Sequence, residues 1–479
     1  MPSLSLHGRQ DKMRAASRNA KTGKGGRGIP CFDGPMRNFS LMVLSLALMQ
    51  GALLADAPRP NIVFIISDDQ AWTDYGFMGH GQTITPHLDQ LAAQSLVFRR
   101  GYVCSSLCCP SLASLLTGRY PHQTKITGNE PPRPQPSGVN AYKDPEFRRQ
   151  WQQLNDFILA QPRLPAELGK AGYLSFQTGK WWAGNFSTGG FTHGMSGGDI
   201  DHGGRHGDVG LEIGRKSMQP IADFMDMAVA QQKPFFLWYA PMLPHQPHDP
   251  PERLLRKYLD RAPSLLIAKY WAMCEWFDET CGTLLQQLEE RHLTENTIVV
   301  YLADNGWIQE SGKPKFRPDS KLSQYDGGLR TPIMIRWPGK ITPRMDDTPV
   351  NSVDIAPTLY DALEIARPAG LAGLSLLDKS AIEKRPAATG ACFLHNAVDI
   401  QKPGKNLTYR WRVEGEWKVI VPNPANVGEA NKPGRTPDAV ELYHITKDPN
   451  EEHNLAEKEP AKLKELRGHL DDWWDGLSP

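Results

Sequence analysis

Four stretches of the chain are apolar at nearly every position rather than at every second one: residues 61–66, 235–239, 297–302 and 333–335. A strand with one wet face alternates apolar and polar residues, whereas a strand covered on both faces does not. These runs therefore predict strands of a mostly parallel sheet sandwiched by helices. The segments between them supply the helices. Thr85-Pro86 predicts a helix start, with threonine as N-cap and proline at the first helical position. Leu88, Leu91, Ala92 and Leu96 follow near helical spacing. Tyr270, Cys274, Phe277, Cys281, Leu284 and Leu288 make one stripe of a longer helix. Strands alternating with helices imply an α/β fold.

The end of the chain differs. Residues 409–413 and 417–421 flank Glu414-Gly415-Glu416, a hairpin signal, and residues 441–445 offer a further strand. Residues 460–474 read as a closing helix. The expected organisation is a large α/β domain over residues 58–384 and a smaller α+β domain, antiparallel sheet plus helix, over 385–479.

Lys+Arg 54 against Asp+Glu 53 gives a net charge of +1, which disfavours a nucleic-acid binder. That balance hides an asymmetry. Residues 1–35 hold seven basic residues against two acidic ones and no apolar periodicity, and read as a disordered basic leader or a start placed too early. From Met36, Arg37 and the mostly apolar run 39–49 have the form of a secretory signal peptide over 36–57. The run is shorter than the roughly 20 residues that span a bilayer. A secreted or periplasmic location without stable membrane insertion is expected.

Polar residues gather just after the apolar runs: Asp68-Asp69 after the first, His245 after the second, Asp304-Asn305 after the third. In an open parallel sheet, ligands bind beyond the carboxyl ends of the strands. Three carboxylates and an amide offer oxygen ligands suited to a hard cation such as calcium or magnesium, although Asp and Asn also cap helices there. A second cluster is Cys108-Cys109-Pro110-Ser111, followed by Leu112, Leu115 and Leu116 facing inward. Cys108 falls at a helix N-terminus, where the dipole lowers a thiol's pKa. A structural thiol, or a disulfide among Cys104, Cys108 and Cys109, is the alternative.

Together these motifs resemble the formylglycine-dependent, arylsulfatase-like sulfatases of the alkaline-phosphatase superfamily. The resemblance rests on Cys108-Cys109-Pro110-Ser111 with Leu116-Thr117-Gly118-Arg119, on residues 61–69 with Thr85-Pro86, and on Gly179-Lys180-Trp181. It continues through Pro244-His245-Gln246-Pro247, Ala303-Asp304-Asn305-Gly306, and Lys321 with residues 325–332, and reaches Glu441-Leu442-Tyr443. The resemblance implies a sulfuric ester hydrolase in which a maturation enzyme converts Cys108 to formylglycine, whose hydrate attacks sulfur in line. It implies a calcium or magnesium ion held by Asp68, Asp69, Asp304, Asn305 and the modified Cys108. Lys180 and Lys321 would bind sulfate oxygens, and His245 would protonate the leaving alcohol. The substrate would be an aryl or carbohydrate sulfate. A phosphate or phosphonate ester hydrolase of the same superfamily is the alternative activity, and a non-catalytic binding protein the alternative class.

Two positions depart from the family pattern. Leu112 stands where the family has arginine, and Trp182 where many members have histidine. Either another residue replaces that histidine or turnover is altered; the Gly-rich segment 202–208 reads as a flexible loop of solvated charges or as a substrate-facing loop that lends Arg205 or His206 to the site.

Overall fold

The computed structural model describes residues 59–474 apart from 136–139, 199, 203–207, 386, 427–435 and 437. The basic leader, the signal-peptide pattern, Arg205 and His206 lie outside the described residues.

The apolar runs form the middle of one sheet. Its strands are β1 (Asn61–Ser67), β2 (Leu96–Tyr102), β3 (Leu174–Gly179), β4 (His193–Gly194), β5 (Phe235–Ala240), β6 (Thr297–Ala303), β7 (Arg330–Arg336), β8 (Arg344–Asp346) and β9 (Val350–Asn351). They lie in the order β4-β3-β5-β1-β6-β7-β2-β8, with β9 beside β2. Every residue of β1, β5 and β6 is buried. The two-residue period of a strand divides them between two apolar layers. Ile62, Phe64, Ile66, Phe236, Trp238, Ile298 and Val300 face one layer. Val63, Ile65, Leu237, Tyr239, Val299 and Tyr301 face the other. Each such side chain contributes about 1.5–3 kcal/mol on burial, so neither face tolerates water.

Helices cover both faces. They include α1 (Pro86–Ala93), α2 (Cys108–Thr117), α3 (Pro145–Leu159), α4 (Gln219–Ala230), α5 (Leu265–Glu290), α6 (Ile355–Ala362) and α7 (Pro460–Trp473). α1, α4 and α5 pack on the Val63 face, and the predicted α5 stripe from Tyr270 to Leu288 is buried throughout. α2 and α6 pack on the Ile62 face. Thr85 does precede α1, but its hydroxyl does not cap the helix. It donates to Asp89 Oδ1 at 3.1 Å and accepts the Gly76 N–H at 2.9 Å. The first amides of α1 are met by the Asp278 carboxylate, which takes the His87 and Leu88 N–H groups at 3.1 and 2.8 Å. Among the described residues, no helix is long and apolar enough to cross a membrane.

Strand direction explains which loops meet. β1 runs parallel to β5 and β6, with Ile65 opposite Tyr239 and Ser67 opposite Ala303. β3 is parallel to β5, and Gly179 faces Ala240. β7 is antiparallel to both β6 and β2. Two reversals restore direction, so the end of β2 and the beginning of β7 lie at the same edge as the ends of β1 and β6.

The second sheet is antiparallel: β10 (Ala387–Phe393), β11 (Leu407–Glu414), β12 (Trp417–Pro422) and β13 (Glu441–His444), in that order. Gly415, at φ 56°, makes the tight turn of the expected hairpin. Trp411 and Tyr409 join the apolar layer that holds Leu112, and Leu466 and Leu470 of α7 pack on Val419 and Val421.

One charged cluster ties this sheet to the loop before β7. Lys418 on β12 is wholly buried and donates from Nζ to Asp326 Oδ1 at 2.8 Å, with Glu451 Oε1 at 2.7 Å. The Asp326 N–H donates to Glu451 Oε2 at 2.7 Å. Removing the cation leaves two buried carboxylates with no ammonium group between them. Lys418→Ala is expected to lose about 3–5 kcal/mol of stability, read as a shift in urea midpoint; an unchanged midpoint would show that the cluster is not a clamp.

Candidate active site

Four strand ends deliver polar groups to one edge. Asp68 and Asp69 follow β1, Asp304 and Asn305 follow β6, Lys180 follows β3, and His245 lies in the loop after β5. The register makes the two acidic ends neighbours: the Asp304 N–H donates to the Ser67 carbonyl at 2.8 Å. The Asp69 N–H donates to Asp304 Oδ1 at 3.1 Å, and Asn305 Nδ2 donates to Asp69 Oδ1 at 2.6 Å. Asp69 turns out of β1 at φ 65°, a left-handed conformation that Asp tolerates better than most residues.

Lys180 is set by Gly179, at φ 77°, where a Cβ would stand 1.9 Å from the Ala240 carbonyl oxygen. No side chain fits there, so the backbone turns and the Lys180 N–H closes onto that oxygen at 2.7 Å. Lys180 Nζ then donates to Asp68 Oδ1 at 2.6 Å and lies 3.6 Å from Asp304 Oδ2. Lys321 arrives from the loop before β7 and donates to both Asp69 oxygens, at 2.6 and 2.7 Å. That loop is seated by Gly328, whose carbonyl accepts the Gly306 N–H at 2.9 Å.

His245 is 16% exposed by side chain, and its Nε2 is 3.3 Å from Asp69 Oδ2. Its Nδ1 is 2.6 Å from the Gln246 carbonyl oxygen. A carbonyl only accepts, so the proton of this bond sits on Nδ1 and Nε2 is the nitrogen that gains and loses one. Burial pushes the imidazole below its ordinary pKa, against the pull of Asp68 and Asp69.

Cys108 is the first residue of α2 and is buried. Asp68, Cys108 and Asp304 each bring a ligand atom within 4.8 Å of the others; Asp68, Asp69 and His245 form a second such group. The thiol differs from expectation in one respect. Burial pushes its pKa up to about 12, and Lys180 and Lys321 oppose this only in part. Desolvation of the anion is the largest influence on this thiol, larger than either neighbouring ammonium group. Among the described residues no disulfide links Cys104, Cys108 or Cys109.

The acidic groups divide unequally. Burial would raise the Asp69 carboxyl, but Lys321, His245 and Lys180 hold it well below the usual carboxylate range. Burial and then Asp68 push Asp304 up to about 7. Two ammonium groups thus do not satisfy three buried carboxyls. Asp68 Oδ2, Asp304 Oδ2 and Asn305 Oδ1 are buried and make no hydrogen bond. Stranded buried acceptors are rare and costly, and an all-oxygen donor set is what calcium or magnesium takes. The residues present fit a hard divalent cation.

Both departures from the family pattern are apolar. Leu112 is buried among the core side chains of its face, and Trp182 lies against Trp181 with ring centroids 4.6 Å apart. Neither brings charge to the site. Three nearby groups escaped the sequence reading. Asn129 Oδ1 accepts the Cys109 N–H at 3.0 Å, next to Cys108. Trp307 lies beneath Lys321 Nζ, 5.8 Å from ring centre to nitrogen. His248 packs on Trp307 and Tyr270, and burial lowers its pKa to about 4. Only His248 carried a signal, three residues after His245 in a proline-rich loop.

A buried acidic cradle, two ammonium groups and a histidine meet at the strand ends of an α/β sheet, and comparison with known proteins places the chain in the alkaline-phosphatase superfamily. Residues 60–365 match the family model described as Sulfatase. The chain belongs to the sulfatase family and is a sulfatase, an enzyme that hydrolyses sulfate esters. It is similar to mouse N-acetylgalactosamine-6-sulfatase, at 27% identity covering 91% of this chain and 87% of that one. It is similar to human arylsulfatase A, at 28% identity covering 86% of each. The solved PsFucS1 sulfatase from a Pseudoalteromonas species shares the fold, with a TM-score of 0.62 at 18% identity over 91% of this chain and 95% of that one.

Proposed function

We propose that this sulfatase acts outside the cytoplasm on a sulfated carbohydrate or aryl sulfate, through a formylglycine made from Cys108 and a bound calcium or magnesium ion. The observation that carries this reading is the meeting of Cys108 Sγ with the oxygens of Asp68 and Asp304, beneath two buried lysines. The carbohydrate substrate is drawn from the name of the N-acetylgalactosamine-6-sulfatase relative. The location rests on the pattern over residues 36–57.

Asp68, Asp69, Asp304 and Asn305 would hold the ion, which supplies Lewis-acid stabilisation of oxyanion charge. The oxidised Cys108 side chain supplies a hydrated aldehyde, and so an oxygen nucleophile where a buried thiol of pKa about 12 is a poor one. Lys180 and Lys321 are the cationic donors for sulfate oxygens. Both are buried and held on the carboxylates of the cradle, so charge growing on the transferred group would meet fixed positive ends. His245 offers Nε2 to the leaving oxygen, its Nδ1–H anchored on the Gln246 carbonyl so that the ring does not turn as the proton moves. Buried Trp181 and Trp182 line the Lys180 segment and keep water from that side.

The test is the mass of the Cys108 peptide from a host that has the maturation enzyme. The expected mass is that of the aldehyde. An intact thiol in active protein would overturn the formylglycine mechanism.

A further inference from the structure

Cys108 opens α2 without the usual capping group. The residue before it, Leu107, has no side-chain oxygen, so the first amides of the helix need acceptors from elsewhere. For Cys109 that acceptor is Asn129, which is 6% exposed and whose Oδ1 takes the Cys109 N–H at 3.0 Å. The Cys109 nitrogen, the Cys108 carbonyl and the Cα atoms of both residues share one peptide plane. A bond that holds this N–H therefore holds the Cα of residue 108.

Asn129 is itself held by the C-terminal sheet. Its N–H donates to the His395 carbonyl at 2.8 Å, and the Ala397 N–H donates to the Glu130 carbonyl at 2.9 Å. Glu130 and Asn396 thus pair like neighbouring strand residues. His395 comes two residues after β10, in the connection that leads to β11. Buried Asn406 fastens that connection. Its Oδ1 accepts the Val398 and Asp399 N–H groups at 2.8 and 3.1 Å, and its Nδ2 donates to Thr127 Oγ1 at 2.9 Å.

The side chains carry the same link in one direction. The Cys109 N–H only donates, so the Asn129 atom facing it is the oxygen, and Nδ2 faces His395 Nε2 at 3.4 Å. Nε2 then accepts, which puts the ring proton on Nδ1, 2.5 Å from Asn396 Oδ1. Donor meets acceptor at each step. With its amide turned over, Asn129 would set one N–H against another at Cys109.

We propose that Asn129 and His395 are positioning residues for the nucleophile. Asn129 fixes the peptide plane behind residue 108, and His395 keeps the Asn129 amide the right way round, so the C-terminal sheet helps to aim the attack on sulfur. The proposal rests on Cys108 as the source of that nucleophile. A misplacement of about 1 Å at such a group costs about 100-fold in rate.

The test is steady-state hydrolysis of an aryl sulfate by full-length variants. Rates are counted per aldehyde, from the mass of the Cys108 peptide, and the urea midpoint is measured alongside. Asn129→Ala is expected to lower kcat by about tenfold to a hundredfold with KM unchanged. His395→Phe keeps a ring but loses Nε2, and should lower kcat by about threefold to tenfold. His395→Gln returns an oxygen acceptor and should recover most of that loss. A lower midpoint with unchanged kcat would make Asn129 a helix cap and nothing more, and overturns the proposal. So does a loss that appears in KM instead, a wild-type kcat in His395→Phe, or equal losses in His395→Phe and His395→Gln. Should Asn129→Ala fail to fold or to mature, the two His395 variants decide. An intact thiol in active wild-type protein defeats the formylglycine reading instead, and kcat per folded chain then decides the positioning question by the same comparisons.

Discussion

Replacing Cys108 with alanine is expected to lower sulfate-ester hydrolysis by about 10⁴- to 10⁶-fold, the loss seen when a nucleophile is deleted from an otherwise intact site. The side chain is buried at the first residue of α2, with its sulfur beside Asp68 and Asp304 oxygens. Alanine removes one atom and leaves the helix, whose inward Leu112, Leu115 and Leu116 are unchanged. The thermal midpoint should therefore move little, and a rate loss without unfolding separates chemistry from folding. Cys108→Ser is the informative partner: it restores an oxygen but not an aldehyde, and should remain near the alanine rate. Steady-state hydrolysis of an aryl sulfate and an aryl phosphate by the same preparation checks both points. Near-wild-type rates in Cys108→Ala would move the nucleophile elsewhere, and a preference for the phosphate would favour phosphoryl transfer.

Asp304→Ala is expected to weaken divalent-ion binding by more than the 10–100-fold that a supporting group costs, and to abolish turnover with it. Asp304 has two tasks. Oδ1 accepts the Asp69 N–H at 3.1 Å, while Oδ2 makes no hydrogen bond. Alanine removes the stranded oxygen and also frees the turn that aims Asp69. Asp304→Asn keeps an oxygen and the shape but not the charge, so it should fall between alanine and wild type. Elemental analysis of dialysed protein gives the ion content, and added calcium or magnesium tests rescue. Full ion occupancy and full activity in Asp304→Ala would remove this residue from the cradle.

Much of this arrangement was open to sequence reasoning for a plain reason. Residues 61–66 and 297–302 are apolar at every position after the first, and a strand covered on both faces needs that. Asp68 and Asp304 then stand out as charges immediately beyond such runs. Other parts carried no comparable signal. The apolar stretch 333–335 has no direction, so the antiparallel setting of β7 was not readable, and neither was β2, whose Arg99 and Arg100 interrupt the apolar pattern. The Thr85 cap failed because Asp278, 190 residues from Leu88, outcompetes it for the helix amides. The burial that raises the Cys108 thiol was not readable either, because desolvation depends on everything packed around the residue.

Local pattern thus determined the α/β alternation, the burial of the central strands, and which residue types stand at their ends. Strand order and register decided the rest. Ser67 opposite Ala303 places Asp68 beside Asp304, and two antiparallel steps bring Cys108 and Lys321 to the same edge. The register of a sheet is a choice among long-range pairings that periodicity within one segment does not distinguish. Electrostatics followed from it: Asp69 and Asp304 are the same residue type at equivalent strand ends, yet one carboxyl is held low by Lys321, His245 and Lys180 against its burial, and the other is raised by burial and Asp68.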